Sequence, residues 1–195
     1  MKSRFTRFSS HQGLWAVLVI FGVVLFPVVT ESSNAQSSED RVIAILIPKH
    51  VPIKVRIKED KERALKDLKN ERWTHDFELE VTNVSNKPIY LLELWIVMPE
   101  IIAENGHRMG FTLRYGRADF IHFDTHMTPD DIPIQPNESY TFKIDEQFQK
   151  GWEEYKAREH KPDPRKIEIS FTQLSFGDGS GFNGSDAKPY PYVRD

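Results

Sequence analysis

Ten residues of this chain alternate without a break. Trp73, His75, Phe77, Leu79 and Val81 hold one parity, and Thr74, Asp76, Glu78, Glu80 and Thr82 hold the other. Side chains on a strand point to opposite faces in turn, so this pattern predicts one face on a core and one in water. His75 falls in the apolar set. A lone histidine there is ordinarily a satisfied core or edge residue, since a metal site needs convergent partners. NVSNKP at 83–88 is turn chemistry. The next run, IYLLELWIVM at 89–98, is apolar except for its one charge, Glu93. A run of that kind suits a central strand covered on both faces, with Glu93 near an edge or beside a partner.

The rest of the chain repeats the theme. Residues 41–48 and 51–57 are β-branched runs on either side of a proline-marked bend. KEDKERALKDLKNER at 58–72 is a charged connection with room for a helical turn or two, and Leu65 and Leu68 are its apolar points. Residues 108–115, 119–127 and 140–144 read as further strands, with a brief one around Ile134. In 119–127, Ile121, Phe123 and Met127 would share one side, and His122, Asp124 and His126 the other. Asp145 can cap a helix whose apolar face is Phe148, Trp152 and Tyr155, ended by HKPDP at 160–164. Ile167, Ile169 and Phe171 share a parity that Leu174 and Phe176 break. A one-residue bulge near Thr172–Gln173 would return the last two to the core. Seven to nine short strands, one helix in a connection and no βαβ alternation predict an all-β, antiparallel, immunoglobulin-like sandwich over residues 41–195.

Ahead of that domain, residues 1–35 read as a signal peptide and 36–40 as a polar linker. Lys2, Arg4 and Arg7 precede an apolar run from Leu14 to Val29, and Ser33 and Ala35 supply small residues before a cleavage point at Gln36. An uncleaved membrane anchor is the alternative, although the run is short for a spanning helix and Pro27 sits near its end. Cleavage removes three basic residues and one acidic residue, so the formal charge moves from −3 to −5. A mildly acidic chain points away from nucleic acid, and membrane contact is expected only through the signal segment if it stays uncleaved. The absence of cysteine excludes thiol catalysis, cysteine-bound zinc and lipobox acylation. It also favours a bacterial periplasmic, cell-envelope or secreted setting, where the sequons at Asn83, Asn137 and Asn183 are chance matches.

DFELEVTNVSNKPIYLLEL resembles the paired strands of bacterial extracytoplasmic immunoglobulin-like domains, and IQPNESYTFKI their later proline, small turn and aromatic strand. With FTLRYGR, EQFQKGWEEYKAREHKPDP and LSFGDGSGFNGSDAKPYPY, the chain is similar to a group of uncharacterised secreted bacterial proteins with such a domain. The resemblance implies fold and export. It implies no activity and transfers no site residue.

Three sets of residues are candidates for chemistry. SFGDGSGFNGSD at 175–186 offers Asp178 and Asp186 to calcium, with Ser180, Asn183 and Ser185 as neutral oxygens. It does not match the EF-hand spacing, and two carboxylates make a poor calcium site unless the loop with Asp130 and Asp131 joins them. The competing reading is a hairpin with Asp178–Gly179 in a type I′ turn, flanked by Phe176 and Phe182. HFDTH at 122–126 places His122, Asp124 and His126 as zinc ligands, if a turn brings the trio together. Trp95, Phe182, Tyr190 and Tyr192 are candidates for an aromatic surface that binds a glycan or a protein. No nucleophile elbow, P-loop or dinucleotide fingerprint occurs. The sequence therefore predicts a non-catalytic exported binding module for a protein or glycan surface. A metal-dependent hydrolase or metal-binding protein using the His-x-Asp-x-His strand is the alternative. A calcium-stabilised structural domain is the third reading.

Overall fold

The computed structural model describes residues 40–191. The predicted signal peptide and most of the linker lie outside the described residues, as does Tyr192. The protein is mostly β, built on two sheets that share one core, which is consistent with a β-sandwich. Nine strands are formed: β1 (Val42–Leu46), β2 (Ile53–Ile57), β3 (Glu78–Asn83), β4 (Leu91–Ile102), β5 (Arg108–Tyr115), β6 (Ser139–Lys143), β7 (Lys166–Ser175), β8 (Gly181–Asn183) and β9 (Lys188–Tyr190). The larger sheet runs β5-β4-β7-β8-β9, and β1 lies against the first half of β7. The smaller sheet is β2-β3-β6. All pairings are antiparallel except β1 with β7. That one parallel pair departs from the all-antiparallel expectation.

The apolar run at 89–98 builds the central strand β4, paired on both sides. Leu92, Leu94, Ile96 and Met98 point into the shared core, where they meet Leu79 and Val81 of β3, Phe142 of β6 and Ile167, Ile169 and Phe171 of β7. Glu93 has its partner: Arg114 stands opposite on β5 and binds it at 2.7 Å. The bulge is where the parity break puts it. Glu93 faces Gln173 and Leu94 faces Phe171, so Thr172 is the extra residue and Leu174 returns to the core opposite Leu92.

Two expected strands are corrected. Trp73–Asp76 is a single helical turn, α2, not the start of a strand. Trp73 and Phe77 are both fully buried, and a helical turn returns i and i+4 to one side as an alternating strand would. His75 consequently leaves the apolar face and meets Glu153 at 2.8 Å near solvent. The second correction is 119–127. Ala118–Ile121 is a 3-10 turn, and the residues after it are turn and loop. The buried pair is Phe120 and Phe123, three apart, while Ile121 and Met127 are exposed. These two rings cover one end of the larger sheet: Phe120 lies 5.6 Å from Tyr90, and Phe123 stacks on Tyr190 at 4.2 Å.

The helices are placed by ordinary end chemistry. Helix α1 (Glu59–Lys66) has its acids in the first turn and bases in the last, and buries Leu65. Helix α3 (Glu146–Glu159) starts where the Asp145 carboxylate accepts from the Gln147 N–H at 2.8 Å, and stops at His160 in a left-handed conformation. Trp152 and Tyr155 enter the core, whereas Phe148 remains half exposed.

Candidate functional site

The glycine-rich stretch is a pair of hairpins. Ser175 and Gly181 close the β7–β8 ladder, and the Phe176 N–H donates to the Ser180 carbonyl across the loop. The turn differs from the expected type I′ pair, because positive φ falls on Gly177 and Gly179 and not on Asp178. Asp178 instead accepts from the Ser180 N–H and hydroxyl and pairs with Lys87 at 2.8 Å. Those hydrogen bonds lower its pKa against the opposing effect of partial burial. Asp186 pairs with Lys188 at 3.4 Å. Asp131, the acid that was to complete a calcium site, is held by Arg117 and by the Thr128 N–H, which lower its pKa. The glycines answer a packing need. A Cβ on Gly181 would stand 2.0 Å from the Leu174 carbonyl oxygen and 2.6 Å from the Phe123 ring. Only glycine lets Phe123 close over that hairpin.

His122, Asp124 and His126 are three exposed residues in the turn after the 3-10 segment, not members of one strand face. The turn is tied by its backbone: His122 N–H donates to the Asp119 carbonyl, and the Arg117 guanidinium donates to the His126 carbonyl. Among the described residues, no group of three or more His, Cys, Asp or Glu is arranged to hold a metal ion.

The aromatic candidates separate. Phe182 packs inward against Phe176 and His50, and Tyr190 is covered by Phe123. Trp95 is different: 45% of it is exposed on the outer face of β4. Its cross-strand partner is Thr112, and its indole reaches diagonally over Gly110, where a Cβ would stand 2.6 Å from Nε1. The missing side chain at Gly110 is what allows the ring to lie across the sheet. Glu93, Arg114 and Ser170 surround it on neighbouring register positions.

Sequence reasoning missed the cleft beside this face. β5 ends the larger sheet and β6 ends the smaller one, and they leave an open groove of about 900 Å³ between them. Thr112 and Arg114 line it from β5, Tyr140 and Lys143 from β6, Phe148 from α3, and His75 closes one end. Tyr140 and Phe148 show their rings to it, each more than a third exposed. Tyr140 is braced edge-on by Tyr115 and Phe142, and Phe148 by Phe111. The groove's principal cations have acidic partners: Arg114 with Glu93, Lys143 with Glu78 and His75 with Glu153. Fixed ring faces, the Thr112 and Thr141 hydroxyls and amides from Gln147 and Gln149 therefore set its chemistry. Comparisons with protein-family models, curated proteins and solved structures find no match to this chain.

Proposed function

We propose that the protein is an exported, non-catalytic binding module of immunoglobulin-like type, and that the β5–β6 cleft with the adjoining Trp95 face takes a neutral glycan. The carrying observation is the pairing of the cleft's cations beside braced, half-exposed rings. Apolar sugar faces stack on such rings, and hydroxyl and amide groups fix their orientation. Internally neutralised charge gives an anionic ligand no advantage over a neutral one. Export is supported by the leader-like N-terminus and the absence of cysteine, and the sandwich type by the strand pattern and the resemblance in its paired strands.

The test is tryptophan-fluorescence and calorimetric titration with neutral and anionic oligosaccharides. Binding of a neutral glycan that Phe148→Ala and Tyr140→Ala each weaken supports the reading. A ligand that binds equally to both variants, or only protein partners captured through this face, would overturn it.

A further inference from the structure

Strand β1 has one edge against β7 and one edge open. The Val42 N–H donates to the Arg165 carbonyl at 2.8 Å, and in a parallel ladder alternate residues face the partner. Val42, Ala44 and Leu46 thus address β7, while Ile43, Ile45 and Ile47 turn their N–H and C=O groups the other way. At the N-terminal end that second edge is closed: Arg41 N–H donates to the Lys66 carbonyl, and Asp40 bridges to Asp67. From Ile43 to Ile47, no backbone partner stands on it among the described residues. The open edge borders a groove of about 240 Å³, walled across by Val55 and Ile57 of β2 and by α1.

Soluble proteins usually blunt such an edge with lysine, proline or a bulge. Here Val42 to Ile47 carries no charge, and Val42, Ile45 and Leu46 are exposed. We propose that this edge pairs with the same edge of a second copy, antiparallel and centred on Ile45, as a symmetric dimer. Two features of the chain fit that register. Ile45 then faces Ile45 and Ile43 faces Ile47, so every open N–H and C=O between 43 and 47 meets a complement. Pro48 of each copy falls opposite Val42 of the other. Lacking an N–H, it turns its chain away just before the Asp40–Asp67 bridge blocks the edge.

Charge selects the same occupant. The exit of each strand carries the exposed Lys49. In this register it arrives beside the hollow lined by Asp40, Glu59, Glu62 and Asp67, where only Arg63 and Lys66 oppose four acids. Each copy supplies both the cation and the acidic hollow, as an isologous interface requires.

The experiment is sedimentation velocity over the micromolar range on the chain as its expression host processes it. The expected result is a concentration-dependent dimer. Ile45→Lys should abolish it without lowering Tm, since that side chain is already exposed. Lys49→Glu should weaken it about tenfold at low salt, and Asp40→Lys in that background should restore it. Amide exchange decides the matter even if Ile45→Lys fails to fold. Protection at Ile43, Ile45 and Ile47 must rise with concentration, while Ala44 stays protected throughout. A wild-type chain that remains monomeric, a dimer indifferent to Ile45→Lys, or exchange at Ile45 that ignores concentration overturns the proposal.

Discussion

Replacing Arg41 with methionine should cost the domain about 3–4 kcal/mol, the range for breaking a buried charged cluster from one side. Arg41 is 1% exposed, and burial pulls its pKa down against the pull of Asp163 and Asp67. Its guanidinium donates from Nε to the Pro164 carbonyl at 2.9 Å and from Nη1 to the Leu65 carbonyl, and lies over the Trp73 ring at 5.1 Å. Leu65 is in the last turn of α1, where carbonyls lack helical partners. One side chain therefore joins the end of α1, the connection after α3 and the core indole. Methionine keeps most of the stem's volume but leaves both carbonyls without this donor, at about 1–3 kcal/mol each, and removes a cation–π contact of roughly 2 kcal/mol when desolvated. Against that stands the relief of desolvating a cation whose Nη2 has no partner. Asp163 keeps the Trp73 and Trp152 indole N–H groups and Lys156, so its own penalty is small. The assay is urea unfolding followed by tryptophan fluorescence, read at constant m. For a domain of this size the loss corresponds to a Tm lower by about 6–16 °C. Arg41→Lys should fall between the two, because an ammonium cannot span both carbonyls in a planar fork. A methionine variant within about 0.5 kcal/mol of the parent would refute the reasoning and make the buried guanidinium a tolerated passenger.

Four further outcomes follow from the same contacts. Gly181→Ala should destabilise by at least about 2 kcal/mol in urea unfolding, because the clash is with the Leu174 carbonyl and not with a flexible side-chain tip. The Asp131 carboxylate is held below its ordinary pKa by Arg117, so its contribution is present above the unfolded value of about 3.9 and is lost as pH falls through the folded one. Asp131→Asn should therefore flatten the decline of the urea midpoint between neutral pH and pH 3, which a midpoint series would show. Calcium and zinc should leave Tm unchanged after chelation, since Asp178, Asp186 and Asp131 are committed to Lys87, Lys188 and Arg117; a rise removed by Asp178→Ala or His122→Ala would contradict this in differential scanning calorimetry. Gly110→Ala should displace the Trp95 indole and shift its emission with little change in Tm, because the clash is on the solvent face.

What the sequence disclosed and what it hid divide along one physical line. Periodicity reports which residues share a face, not how the backbone brings them there. Leu92, Leu94 and Ile96 were legible because a buried strand with a regular pleat has one way to place them. Thr172 was legible for the complementary reason: a parity break between Phe171 and Leu174 has one inexpensive remedy, an extra residue. Trp73 and Phe77 were not, since four residues apart they coincide on a strand face and on a helical turn alike. Phe120 and Phe123 were obscured by Ile121 and Met127, which offer an equally regular alternation that leads to solvent. The proposed cleft was beyond reach for a different reason. Its walls are the free edges of β5 and β6 and the first turn of α3, and which edges stay free depends on strand order. The open side of β1 obeys the same rule: it exists because β1 joins β7, some 120 residues away, in the one parallel pair of the fold. A sequence pattern states what each strand must cover. The edges a sheet leaves uncovered are a property of its topology, and in this protein both proposed binding surfaces lie on those edges.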